Sequence, residues 1–182
     1  MNYRDITKAK EYFDSIVNIC DIIDEKELWD KPDDSEVKLR DILKINIAEF
    51  IMYLSASDGS LTFEELQVYK AITGYGGETL DSFKTYIQKN NIYSTGFESK
   101  PPLIMEILSR AERTAIMYGA ELETSILSAL VSLYKMIGKI VITVDGGVTY
   151  SERRDYQIII STIEGFAEEH DICGDKWSLW KK

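Results

Sequence analysis

Apolar side chains recur at three- and four-residue spacings along almost the whole chain, the signature of successive amphipathic helices. Over residues 5–28, Ile6, Tyr12, Phe13, Ile16, Val17 and Cys20 form one stripe between charged positions. Lys31-Pro32-Asp33-Asp34-Ser35 ends that stripe, with Ser35 as an N-cap for the next helix. There Leu39, Leu43, Ile47, Phe50, Ile51 and Leu54 mark one face, while Ile42, Ile45 and Met52 make a second face apolar. A helix apolar on two faces belongs in the interior. Three shorter segments follow: 63–73 closed by Gly74, 80–89 opened by Thr79, and 103–118 entered through Pro101-Pro102 and closed by Gly119. Residues 124–144 are apolar nearly all round and predict a second central helix, and 150–170 predict a last amphipathic one. The β-branched runs at 140–144 and 158–160 lie inside these helical patterns with no hairpin turn beside them. The expected fold is therefore all-α, about seven helices in a single domain spanning 1–182. Asn, Ser, Thr and Gly gather in 90–100, which reads as the mobile connection between two halves.

Composition narrows the function classes. Of 182 residues, 45% are hydrophobic and 29% charged, enough apolar surface for an independent core. The net charge of −10 argues against a surface built to coat phosphate backbones, so no nucleic-acid partner is expected. Cys20 and Cys173 form neither a disulfide framework nor a zinc spacing, which suits a cytoplasmic protein. No signal peptide is evident. The most apolar stretch, 136–144, is interrupted by Lys139 and falls short of the roughly 20 residues that span a bilayer, so no integral membrane segment is expected. The single histidine, His170, ends a helix and leaves the common nucleophile and base pairings without a partner; no enzymatic activity is expected. Gly74-Tyr75-Gly76-Gly77 follows a helix rather than a strand and reads as a turn, not a phosphate loop. Trp177 and Trp180 lie in an aromatic tail over 172–182 that reads either as a cover for the core or as a membrane-surface or partner anchor.

The chain also repeats itself. At an offset of 87, Asp58-Gly59-Ser60-Leu61-Thr62-Phe63-Glu64-Glu65 aligns with Asp145-Gly146-Gly147-Val148-Thr149-Tyr150-Ser151-Glu152, and Tyr69 and Ile72 align with Tyr156 and Ile159. Each copy follows a central apolar helix and precedes an amphipathic one, giving repeats over about 36–75 and 124–170. Gly59 and Gly146 can take the positive φ that ends a helix, Thr62 and Thr149 are N-caps, and Glu65 and Glu152 stand at N3 to complete a capping box. Leu61 and Leu66 supply a hydrophobic staple in the first copy, whereas Arg153 weakens it in the second.

The same acids admit a second use. Each copy matches the second half of an EF-hand calcium loop, but the positions for the first ligands are Leu54 and Ala56, or Val141 and Thr143. Calcium takes about six to eight oxygens, so neither loop suffices alone. Pooling Asp58, Glu65, Asp145 and Glu152 across a twofold axis would gather four carboxylates, whose repulsion requires a cation, protons or a basic partner.

These twin D-G-x-(aliphatic)-T-x-x-E signatures, the first preceded by Ser55-Ala56-Ser57, resemble those of the tellurite-resistance B, or TerB-like, domains and the related DjlA N-terminal-like region. The resemblance covers residues 34–171. It departs in having Ser57 and Val144 before the aspartates, where the family usually has Ala or Ala-Ala, and in the helix over 5–28 and the tail. It implies a bacterial all-α bundle of two pseudo-symmetric helix-loop-helix repeats with an acidic face that binds a divalent cation such as Ca²⁺, Mn²⁺ or Zn²⁺. By position those ligands would be Asp58, Glu65, Asp145 and Glu152, with Glu64 outside them. The resulting expectation is a non-enzymatic interaction or stress-response module with an unidentified protein partner. The alternative, equally suited to a small acidic helical chain, is an immunity protein or antitoxin that blocks a basic toxin.

Overall fold

Each apolar stripe becomes a helix. The computed structural model describes residues 3–31, 36–89, 96–119 and 125–170, which form α1 (Tyr3–Glu25), α2 (Leu39–Ala56), α3 (Phe63–Thr73), α4 (Leu80–Lys89), α5 (Leu103–Met117), α6 (Ile126–Val141) and α7 (Tyr150–His170). The seven helices pack as a bundle with no strand among the described residues. No helix there is long and apolar enough to cross a membrane.

The doubly apolar segments are central, as their composition requires. In α2 Leu39, Leu43, Ile47, Phe50, Ile51 and Leu54 are all fully buried, as are Leu127, Leu130, Leu133, Tyr134, Ile137 and Val141 in α6. These two helices pack on each other. Around them α1 lies on α2 and α6, α5 on α6 and α2, α3 on α2 and α6, and α7 on α6 and α2; α4 joins α2 and α3. Aromatic edges tie the centre together: Phe50 meets Tyr134 at 4.9 Å and Phe97 at 6.4 Å, both T-shaped.

The central helices start differently from the sequence expectation. The N-cap of α2 is Lys38, which makes no side-chain cap bond; Ser35, the expected cap, lies outside the described residues. Instead Asp24, at the end of α1, accepts the Leu39 N–H at 2.9 Å and the Trp29 indole N–H at 2.7 Å. In the other half, Ser125 caps α6 while buried Glu112 of α5 accepts the Ile126 N–H at 2.9 Å. An acid from the preceding helix thus meets the positive end of each central helix.

The segment 90–100 also departs from expectation where it is described. Phe97 is buried against Phe50 and Tyr53, Glu98 accepts the Tyr53 hydroxyl at 2.7 Å, and its carbonyl accepts from Thr162 at 3.2 Å. This end of the connection is pinned between α2 and α7. Residues 90–95, Cys173 and the Trp177/Trp180 tail lie outside the described residues.

Candidate functional site

The D-G loops fold as their residue types dictate. Gly59 and Gly146 take φ of 80° and 95°, conformations that a side chain would strain, and turn the chain out of α2 and α6. Asp58 then accepts the Ser60 N–H at 2.8 Å and its hydroxyl at 2.9 Å; Asp145 has the weaker counterpart, the Gly147 N–H at 3.3 Å. Both capping boxes are complete. Thr62 N–H donates to Glu65 Oε2 at 2.8 Å and the Glu65 N–H returns to Thr62 Oγ1 at 3.3 Å; the Thr149–Glu152 pair repeats this at 2.7 and 3.2 Å. In the first copy alone the threonine hydroxyl also donates to Glu65 Oε2, at 2.9 Å. Of the expected staple, Leu66 is buried and Leu61 packs at the edge of the core, while Arg153 of the second copy is exposed.

The two loops also feel each other. Glu65 and Glu152 are each only 2% exposed. Burial pushes the Glu65 carboxyl up from 4.5 to about 7; the bonds from Thr62 oppose the rise, and the negative charges of Asp145 and then Glu152 reinforce it. Three of the four acids singled out in the sequence, Glu65, Asp145 and Glu152, are therefore brought within electrostatic reach. Asp58 is exposed and turned onto Ser60. One turn beyond Glu152, the buried Asp155 is neutralised by Arg154 through Nε at 2.8 Å and Nη2 at 2.7 Å. Glu65 has no such basic neighbour among its charge partners.

These groups do not fit a preformed divalent-cation site. Oε2 of both glutamates is occupied by cap bonds, Asp58 is engaged in its own loop, and no group of three His, Cys, Asp or Glu side chains suited to a metal occurs among the described residues. The arrangement instead sets two capped helix starts within electrostatic reach of each other, with the Glu65 carboxyl raised to about 7 mainly by burial.

Two other candidate groups have structural surroundings. His170 Nδ1 lies 2.9 Å from the Phe166 carbonyl and its ring stacks on Phe166 at 4.1 Å. Cys20 is buried, and burial followed by the charges of Asp24 and Asp21 pushes its thiol up to about 12, away from the reactive thiolate. The feature that sequence patterning overlooks lies in the first half of the molecule. Tyr69, Tyr75, Tyr86, Glu49 and Glu78 line one cavity beside α2, α3 and α4. The signal was the three tyrosines and the Gly-Gly-Glu turn around them, which the turn reading absorbed. No family model, curated protein or solved structure matches the chain.

Proposed function

We propose that the chain is a non-catalytic, TerB-like interaction module that holds a protein partner at its joined D-G loops. The observation that supports this is the aromatic position of the motif. Phe63 and Tyr150 open α3 and α7 one residue after the capping threonines, yet they are 60% and 81% exposed. An aromatic present in both copies but outside the core adds nothing to packing, and exposed aromatics beside carboxylates are suited to recognition. Part of the packing is consistent with the pseudo-symmetric repeats that the resemblance implies: exchanging the halves turns the α2–α3 contact into α6–α7 and the α3–α6 contact into α7–α2, whereas the α1–α3 contact has no α5–α7 counterpart of similar extent among the described residues. A bacterial, cytoplasmic, stress-response setting belongs to the same reading.

A photo-crosslinking residue placed at 63 or at 150 in the source organism tests it. Both positions should capture one common protein, and excess wild-type chain should compete this away while a Phe63→Ala/Tyr150→Ala double variant should not. Capture of unrelated proteins at the two positions would overturn the proposal. The loop acids act in this reading as caps. A cation at these acids would share the Glu65 and Glu152 carboxylates with the Thr62 and Thr149 N–H groups. Calorimetric titration with Ca²⁺, Mn²⁺ and Zn²⁺ that gives stoichiometric binding in the wild type, lost in Asp58→Asn/Asp145→Asn, would reverse that assignment.

The net charge of −10 also supports a second reading, an acidic immunity protein or antitoxin. A neighbouring reading frame for a large toxin with a basic C-terminal domain, and rescue of its toxicity by co-expression, would favour it over the first.

A further inference from the structure

The cavity formed by α2, α3, α4 and the α3–α4 connection has a chemistry of its own, independent of the D-G loops. It measures about 350 Å³, within the usual range for small-ligand pockets. Its wall is aromatic: Tyr69 lies 4.8 Å from Phe83 and 6.1 Å from Tyr75, ring centre to ring centre, and Tyr86 completes the lining. Among the described residues its charged lining consists of Glu49 and Glu78, with no lysine, arginine or histidine. Oε2 of Glu78 is shielded from solvent and has no hydrogen-bond partner, an expensive state for a carboxylate that a bound cation would relieve.

The charges act on the rings. The Tyr69 hydroxyl is pushed above its ordinary range by burial and then by Glu78, Tyr75 and Tyr86; Tyr75 is raised by burial and then by Asp41, Glu78 and Tyr86. Both phenols therefore stay neutral, and their rings line the cavity beside a negative group. Aromatic faces attract cations, most strongly where water is excluded, and a carboxylate adds charge to the same attraction. An inorganic divalent ion would find too few oxygens here, whereas an alkylated ammonium has the apolar surface to match the rings.

We propose that this cavity binds an organic cation through an alkylammonium group, with Tyr69, Tyr75 and Tyr86 as its aromatic wall and Glu78 as its counter-charge. Tyr75 and Tyr86 are 37% and 50% exposed, so the wall is reachable from solvent. The ammonium can arrive on a free quaternary amine or on a lysine side chain, and the experiment separates these sources.

The full chain is titrated calorimetrically with choline, with its uncharged carbon isostere dimethylbutanol, and with acetyl-lysine methylamide carrying a free side-chain amine. At least one of the two cations should bind one to one. Dimethylbutanol should bind at least about tenfold more weakly than that cation, the difference expected from a desolvated cation–π contact reinforced by a carboxylate. Tighter binding of choline identifies a free amine as the source, and tighter binding of the lysine derivative a protein side chain. Glu78→Gln and Tyr86→Ala should each weaken the cation severalfold, with circular dichroism showing both variants as helical as the wild type and Glu78→Gln no less heat-stable than it. Equal affinity for the uncharged isostere, no binding of either cation, or binding unaffected by both substitutions would overturn the proposal.

Discussion

In the second half of the molecule, Gly138 on α6 leaves a hollow into which the ring of Tyr156 from α7 fits; a methyl group at position 138 would lie 2.6 Å from Tyr156 Cε2 and 3.1 Å from Phe50 Cζ. In the first half the matching position is Ile51, fully buried, and the matching ring is Tyr69. With a side chain already at that place, Tyr69 packs instead on Phe83 and Tyr75 and becomes a wall of the aromatic cavity. The helices that follow the motifs diverge in the same way. The first, α3, stops after 11 residues at Gly74, whereas α7 continues for 21. Caps and helix starts are thus common to both halves, and chemical individuality enters where the duplicated frame ends. The comparison suggests that the shared loops set the architecture and that the unshared space carries ligand chemistry.

The sharpest way to break that contrast is Gly138→Ala. On an exposed helix this change would stabilise by up to about 1 kcal/mol through helix propensity. Here the added methyl collides with a ring and a core phenylalanine, so we expect a net loss of about 1–3 kcal/mol, measured by denaturant unfolding. Ile51→Gly, the mirror change, should not restore the contrast, because it opens a cavity rather than admitting a ring.

Next in size is the pH dependence carried by Glu65. The unfolded chain releases this proton near 4.5 and the folded chain near 7. The contribution of the protonated form is therefore complete below 4.5, falls as pH rises, and is gone above about 7, a change of at most about 3 kcal/mol. Glu65→Gln keeps a capping oxygen but cannot ionise, so its unfolding free energy should fall less than the wild type's between pH 5 and pH 8. Stability curves at several pH values, on wild type and variant, check this.

The smallest effect separates the two caps. Thr62→Ala and Thr149→Ala should each cost about 1 kcal/mol, the usual price of a lost N-cap. Thr62→Ala should cost more, because its hydroxyl both accepts from the Glu65 N–H and donates to the Glu65 carboxylate, whereas Thr149 shows only the first bond. Thermal unfolding of the two variants side by side reads the difference.

Much of this frame was legible in the sequence, and the reason is local. The bounds of α3, α4 and α7 follow from capping residues and apolar spacing within a few positions of each end. The duplicated motif marked Glu65 and Glu152 as caps, and both boxes are formed. What could not be read depends on pairs distant in the chain. Asp24 meets Leu39 and Glu112 meets Ile126 across helix ends, and no local pattern announces either bond. Phe97 was hidden in a polar segment that looked like an unattached loop, although its core position depends on Phe50 and Tyr53. The motif also left open whether its acids would gather as metal ligands, because hydrogen-bond direction, not residue type, decides where each Oε2 is spent. The cavity needed three tyrosines and two glutamates, from α2, α3, α4 and the α3–α4 connection, to converge.

The starts of α3 and α7 lie close enough for the charges of Asp145 and Glu152 to act on the buried Glu65 carboxyl. Carbon-detected NMR titration of the Glu65 side-chain carboxyl, in wild type and in Glu152→Gln, tests it most directly. The wild-type midpoint should be about 7 and should move down in Glu152→Gln. A midpoint near 4.5 that does not respond to Glu152→Gln would contradict it.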